Sequence, residues 1–279
     1  MRRALRVDGM AWVMLAGLLC LGAIVVTAIS AEDGGAPAAA PIAQALDWQA
    51  ALGLREPWRL WTCAWVQWSA AHLAVNLAGG AVIAFVGWRA RLPPAAALAW
   101  FAAWPATQVV MAAIGSERLA AAMPHYGGLS GVLHAGVVVL GLSLAWPQAR
   151  TDARRPVASP PSRIDTAFVA TRAPAIEPSR ITEGPWAMTD MSALTALPIS
   201  TLDQPPPHAA KERALHERWI GVAIAAGTLA KVVLEAPWDL TLRPSAALGI
   251  AVAPVAHACG FVAGLLAWAG LRLLGRIAR

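Results

Sequence analysis

Long apolar runs separated by short polar stretches form the main pattern along this chain. A run of about 20 apolar residues crosses roughly 30 Å of hydrocarbon as an α-helix, so each run predicts a membrane span. Hydropathy predicts an all-α polytopic membrane protein with six transmembrane helices, at residues 10–31, 62–88, 95–115, 128–146, 219–237 and 245–271. The first run follows Arg2 and Arg3, as in a signal peptide, but it exceeds the usual signal core of about 7–15 residues, which favours a retained anchor.

The segment 148–214 differs from the rest of the chain. It is rich in Pro, Ser, Thr and Arg, nearly balanced in charge, and without sustained helical or strand periodicity. Such a composition rarely buries enough apolar surface to fold. We therefore expect residues 1–147 to carry the first four helices, 148–214 to form a disordered cytoplasmic loop, and 215–279 to carry the last two helices of the same core.

The composition supports a membrane protein. Hydrophobic residues make up 58% of the chain and charged residues 14%, well below the roughly 25% charged residues of a soluble domain. The three cysteines Cys20, Cys63 and Cys259 lie in or beside apolar runs and match neither a disulfide framework nor a zinc site. We expect them to be buried structural thiols.

The positions of the lysines and arginines predict the orientation in the membrane. With the N-terminus in the cytoplasm, that side holds Arg2, Arg3, Arg6, Arg89, Arg91, Arg150, Arg154, Arg155, Lys211, Arg213, Arg218, Arg272, Arg276 and Arg279, and the other side holds Arg55, Arg59, Arg118 and Arg243. We therefore expect both termini to be cytoplasmic. This distribution explains the basic net charge, so we expect no nucleic-acid partner.

A serine and a histidine inside apolar runs are the first candidates for chemistry. Ser130 follows Gly127 and Gly128 at the start of a predicted helix, and His257 lies in the last one. Serine often bonds its own helix backbone, whereas an ionisable group in a membrane is costly and by default marks function. The glycines allow a tight turn, and a helix N-terminus offers unpaired N–H groups to an oxyanion. Gly131 lets a neighbouring helix or a substrate approach closely.

Further polar residues lie on the second and fifth predicted helices. His72 and Asn76 are four residues apart and can donate hydrogen bonds to an oxyanion without adding negative charge, or can simply link packed helices. Lys231 and Glu235 are also one turn apart. Because either charge alone is expensive in a membrane, we expect an ion pair or a watery cavity, and Lys231 could contact a substrate carbonyl or acidic group.

Three motifs, taken in order, resemble the signature of the rhomboid intramembrane serine proteases. They are Trp58-Arg59-Leu60 leading into His72-x-x-x-Asn76, then Gly128-Leu129-Ser130-Gly131, then Ala256-His257-x-x-Gly260. They fall on the second, fourth and sixth predicted helices.

The resemblance implies a rhomboid-like bundle and assigns a role to each motif residue. Ser130 would be the nucleophile and His257 the general base of a catalytic dyad without an acid. His72 and Asn76 would hold the oxyanion together with the Ser130 amide. Gly260, one turn after His257, would allow close contact with the helix that carries Ser130.

The stretch Gly128 to Gly136, with Lys231 and Glu235, resembles the bacterial rhombosortase branch of that family. That branch is associated with client proteins that end in Gly-Gly, an apolar helix and a basic tail. The resemblance implies a serine endopeptidase of a bacterial inner membrane, with its active site facing the periplasm and a membrane-anchored protein as substrate. It implies no metal and no organic cofactor.

His134 stands where typical rhomboids have a tyrosine, four residues after the serine. It shares a helical face with Ser130, and helical side chains lean toward the N-terminus, so it could reach the hydroxyl. It could stack beside His257, bind substrate, or act as the base itself. The resemblance favours His257 as the base.

Three other functions are compatible with parts of this pattern. A catalytically inactive rhomboid-like protein would bind membrane clients, although it would not need both Ser130 and His257. A metalloenzyme would have to use His72, His125, His134 and His257 without a His-Glu-x-x-His motif or an evident second shell. A transporter would be expected to show paired interrupted helices in matching halves, which are not visible.

Overall fold

The computed structural model describes residues 8–32, 40–147 and 207–277. The chain divides into two units, one of Met1–Gln148 with Arg213–Arg279 and one of Ala149–Glu212. Of the second unit, only residues 207–212 are described, and they are helical. The predicted disorder of residues 148–206 therefore lies outside the described residues.

The described residues are mostly helical, with two small antiparallel strand pairs. The elements are α1 (Met10–Glu32), α2 (Pro41–Leu46), β1 (Trp48–Gln49), α3 (Arg59–Thr62), a 3-10 helix (Cys63–Trp65), α4 (Ala70–Arg89), α5 (Pro94–Ala112), α6 (Ser116–Ala122), β2 (His125–Tyr126), α7 (Ser130–Ala145), α8 (Pro207–Leu234), β3 (Arg243–Ser245), β4 (Ile250–Val252) and α9 (Pro254–Ile277). Strand β1 pairs with β2, and β3 pairs with β4. The all-α prediction is thus confirmed for the bulk of the described chain.

Four of the described helices, α1, α4, α5 and α9, are long and apolar enough to cross a membrane. They turn large apolar side chains outward, such as Leu21, Val82 and Leu266, which are 60%, 62% and 60% exposed. A surface of this kind needs an apolar cover. Helix α7 is apolar but has 16 residues, and α8 carries several charged residues in its first half.

Two predicted spans begin too early. Residues 62–69 do not join α4, because Val66 is extended (φ −76°, ψ 124°) and ends the preceding 3-10 helix. Ser69 then caps α4 by accepting a hydrogen bond from the backbone N–H of His72 at 3.0 Å. Residues 245–252 belong to the β3–β4 hairpin, and α9 begins only at Pro254, a residue suited to the first turn of a helix.

The fifth predicted span begins too late, at residue 219, whereas the observed helix α8 begins at Pro207. Residues 207–214 are therefore helical and do not belong to the disordered loop that the sequence predicts. Five of the twelve residues 207–218 are charged, among them Lys211, Arg213 and Glu217, so the hydropathy of the sequence does not reveal the start of the helix. The helix ends near the predicted point, at Leu234.

Helix α7 is buried on almost all sides and packs against α4, α5 and α9. Trp100 of α5 donates a hydrogen bond from Nε1 to the carbonyl oxygen of Val132 at 2.9 Å, and its ring fills the space in front of Gly136. On the other side of the core, Trp12 of α1 donates from Nε1 to the Ile83 carbonyl of α4 at 2.9 Å. These contacts fix the two helices that carry Ser130, His72 and Asn76.

The three cysteines are free. Cys63 and Cys259 are buried, and Cys20 is partly buried. The prediction of structural thiols is therefore confirmed for Cys63 and Cys259 as far as burial is concerned.

Candidate active site

The tight turn before α7 brings its first residue, Ser130, beside the start of α4. Gly128 adopts φ +137°, a conformation that side chains rarely allow, and a Cβ there would lie 2.7 Å from Cε1 of His72. The Gly128 N–H donates to the Cys63 carbonyl at 2.9 Å, which ties the turn to the 3-10 helix. The residue before α7, Leu129, gives no side-chain cap, so the first N–H groups of the helix are left uncapped by side chains.

His72 and Asn76 are both buried, at 7% and 4% exposure, and lie one turn apart in α4. The Asn76 side-chain nitrogen donates to the Gln67 side-chain oxygen at 2.8 Å. His72 Nδ1 is buried and has no hydrogen-bond partner among the described residues. A buried polar atom without a partner is costly, so this nitrogen marks a place where an additional polar group would be stabilised.

Helices α7 and α9 approach each other through small residues. A Cβ on Gly260 would lie 1.9 Å from the Gly131 carbonyl oxygen, and a Cβ on Gly264 would lie 2.6 Å from the Ala135 carbonyl oxygen. A Cβ on Gly131 would in turn lie 3.0 Å from the Ala256 carbonyl oxygen. The close approach expected at Gly131 and Gly260 is therefore present, and it brings the Ser130 and His257 ends of the two helices together.

His257 lies in the first turn of α9, is 6% exposed, and contacts two other side chains. Its Nδ1 is 2.7 Å from Oε2 of Glu235. The His134 ring stacks on the His257 ring, with 4.2 Å between centroids and 17° between planes. His134 Nδ1 lies 2.7 Å from the Ser130 carbonyl oxygen, one turn earlier in α7, so it serves as donor to that carbonyl.

Lys231 and Glu235 form the expected ion pair at the end of α8. Lys231 Nζ lies 2.6 Å from Oε1 of Glu235, and the two side chains are 50% and 27% exposed. The same carboxylate also contacts His257, which the sequence does not predict. Four residues separate Lys231 from Glu235, whereas 22 separate Glu235 from His257, so only the first contact has a sequence signal.

Most of the candidate residues meet at one cavity of about 1090 Å³. Its wall includes His72, Asn76, Ser130, His134, Lys231 and His257 among mainly apolar neighbours. The β3–β4 hairpin forms another part of the wall. The Ser69 side-chain oxygen donates to the Leu248 carbonyl at 2.5 Å and so joins the hairpin to the first turn of α4.

Tyr126 is a further residue of this region that the sequence analysis did not single out. Its hydroxyl lies near the first turn of α7, where it donates to the Gly128 carbonyl at 3.5 Å and where a Cβ on Gly131 would meet it at 3.0 Å. Burial raises the pKa of Tyr126, which therefore stays a neutral hydroxyl that can donate or accept a hydrogen bond. It is the only tyrosine of the chain, but nothing in the sequence around it indicates this role.

The side chain of His125 contacts the buried carboxylate of Asp47. Its Nδ1 lies 2.6 Å from Oδ2 of the fully buried Asp47, whose other oxygen accepts from Arg59 at 3.0 Å. Among the residues that the structure describes, no group of three or more His, Cys, Asp or Glu side chains could hold a metal ion. The four histidines of the metalloenzyme alternative all line the cavity described above, but no three of them form such a group.

The described chain is a helical protein whose four apolar helices have the length and composition of membrane spans, with a serine, four histidines and a lysine among the residues that line one cavity. No protein-family model matches the chain, and neither a curated protein nor a solved structure matches it.

Proposed function

We propose that this protein is an intramembrane serine endopeptidase of the rhomboid type, similar in its motifs to the rhombosortase branch. The observation that carries the proposal is the convergence of Ser130, His257, His72 and Asn76 at one cavity. Those residues come from three helices and from distant parts of the sequence.

The proposed reaction uses groups whose surroundings suit each step. His257 accepts the proton of the Ser130 hydroxyl while Oγ attacks the carbonyl carbon of the scissile bond. The uncapped N–H at Ser130, with His72 and Asn76, stabilises the negative oxygen that forms. His257 then gives the proton to the leaving amine, and water releases the acyl group from Ser130.

The length of α7 supports a reaction below the membrane surface. Sixteen residues extend about 24 Å, which is less than the roughly 30 Å of the hydrocarbon layer. If Ala145 reaches the cytoplasmic boundary, Ser130 lies several ångströms below the periplasmic one. We propose a six-span core with both termini cytoplasmic, a periplasmic entrance to the cavity, and a membrane-anchored client cut beside its anchor, with a C-terminal Gly-Gly sorting segment as the leading candidate.

The first test is labelling of the full-length protein in liposomes with a fluorophosphonate probe, which reacts with activated serines. We expect labelling of the wild type and its loss in both Ser130→Ala and His257→Ala. His216→Ala is the matched control, because this histidine is exposed on α8 and is expected to leave labelling unchanged.

The outcomes separate the alternatives. Labelling that is lost in Ser130→Ala but kept in His257→Ala would transfer the base role to His134. A folded wild type without any labelling would favour the catalytically inactive protein that binds membrane clients.

A further inference from the structure

The carboxylate of Glu235 links the ends of α8 and α9 at His257. One oxygen, Oε2, is 2.7 Å from His257 Nδ1, and the other, Oε1, is 2.6 Å from Lys231 Nζ. Helix α8 ends at Leu234, and the next residue but one, Ala236, adopts φ +46°, so the chain turns away directly after Glu235. The side chain is thereby directed at the first turn of α9, where the helix dipole also favours a negative charge.

We propose that Glu235 is the positioning acid of a Ser130–His257–Glu235 triad, with Lys231 as the counterion of the carboxylate. The inference rests on the proposed function and goes beyond the acid-free dyad that the resemblance implies. A histidine can accept a proton from serine at Nε2 only if Nδ1 carries the other ring proton. An ionised carboxylate is an acceptor only, so the contact with Glu235 holds the proton on Nδ1 and leaves Nε2 free.

The charges around His257 suit this role. Lys231 and Glu235 together carry no net charge, so the resting site avoids an unpaired carboxylate in apolar surroundings. When His257 takes the proton from Ser130, the imidazolium gains an adjacent negative group. The Nδ1 proton stays on the ring throughout, and Glu235 remains ionised while the serine proton moves to Nε2 and then to the leaving amine.

The ring of His257 is held on its face as well as at its edge. His134 stacks on it, and His134 is itself oriented by the bond from Nδ1 to the Ser130 carbonyl. Stacking limits the tilt of the ring, but it leaves rotation within the ring plane free. The hydrogen bond to Glu235 restricts that rotation, so the two contacts have separate functions.

The test compares full-length wild type, Glu235→Gln and Glu235→Asp in liposomes. A glutamine can present its amide NH₂ to Nδ1 and so favour the tautomer protonated at Nε2, which cannot act as base. We expect Glu235→Gln to lower the fluorophosphonate labelling rate by up to about 10⁴-fold, as for the same exchange in a catalytic triad, and Glu235→Asp to restore part of it. Glu217→Gln, an exposed carboxyl on the same helix, is the matched control and should label like the wild type.

A second measurement reports the tautomer directly. In ¹⁵N-histidine spectra, with His257→Ala used for assignment, we expect His257 to be protonated at Nδ1 in the wild type and to become mixed or protonated at Nε2 in Glu235→Gln. If Glu235→Gln does not fold because it leaves Lys231 unpaired, the double variant Lys231→Met/Glu235→Gln is measured in its place, with the same expected loss.

The two proposals fail in different ways. A labelled wild type whose rate and His257 tautomer are both unchanged in Glu235→Gln would overturn the role of Glu235 and leave the protease proposal intact. A wild type without labelling would contradict the protease proposal. In that case the tautomer spectra still decide whether Glu235 orients His257.

Discussion

Asn76 owes its orientation to Gln67, a buried residue at 2% exposure in the loop before α4. The Gln67 side-chain nitrogen is itself bonded to the Ala64 carbonyl at 3.1 Å, so the amide is held at both ends. Because Gln67 accepts from one of the two N–H groups of the Asn76 side chain, the other N–H is left to serve the cavity. A residue outside the helix thus sets the direction of a donor within it.

At the residue scale, we expect Asn76→Ala to slow fluorophosphonate labelling by about 10²–10³-fold, as for the loss of one oxyanion donor. Gln67→Ala should have a smaller effect, because it only frees the Asn76 side chain to rotate. Phe85→Ala, an outward-facing change on the same helix, is the control. An unchanged rate in Asn76→Ala would remove Asn76 from the oxyanion site.

At the scale of elements, the contact between α7 and α9 determines the distance between nucleophile and base. Ala256, Gly260 and Gly264 recur every four residues along α9 and face Gly131 and Ala135 of α7. Without side chains in the way, the two backbones come into direct contact. Any atom added at the centre of this contact must separate the two helices, because backbone atoms cannot rotate aside.

We expect Gly260→Ala to destabilise the protein by about 1–3 kcal/mol or more, as for other overpacked cores, and to abolish labelling of Ser130. Gly270→Ala is the matched control on the same helix, because a Cβ there meets nothing within 4 Å. Denaturation in sodium dodecyl sulphate, followed by tryptophan fluorescence, measures the stability of both variants. Equal stability and labelling in the two would contradict the close contact.

At the scale of the whole molecule, the proposed reaction requires the cavity to open on one side of the membrane. The first turn of α4, the first turn of α7 and the β3–β4 hairpin all contribute to the cavity wall. In the proposed topology these parts lie on the periplasmic side, whereas Arg89 and Arg91 follow the other end of α4. The distribution of positive charge is the reason for this orientation, and the orientation would open the cavity toward the periplasm.

The orientation can be measured with a membrane-impermeant maleimide on intact bacterial cells. We expect a cysteine introduced at Leu54 to react, because this residue is 52% exposed before α3, on the proposed periplasmic side. A cysteine at Trp88, which is 50% exposed, should react only after the membrane is opened. The wild type shows how much its own three cysteines react with the maleimide. A Trp88→Cys variant that reacts in intact cells would contradict the proposed topology and indicate the opposite orientation.

The sequence by itself was sufficient for the helical class and the identity of most of the polar residues that line the cavity. Apolar runs of span length can satisfy their backbone hydrogen bonds in lipid only as helices, so α1 and α5 match their predicted positions within a few residues. Ser130, His257, His72 and Asn76 were recognisable because polar groups are conspicuous in such runs. The ion pair of Lys231 with Glu235 followed from helical spacing alone.

Only the tertiary structure decided which of these residues touch one another. The β3–β4 hairpin and the break at Val66 interrupt apolar sequence, where hydropathy cannot distinguish a strand or an extended residue from a helix. The bond between Glu235 and His257, the stacking of His134 and the approach of Tyr126 to Gly131 join different elements. Such contacts depend on how α7, α8 and α9 pack, and the local sequence carries no periodicity that encodes them.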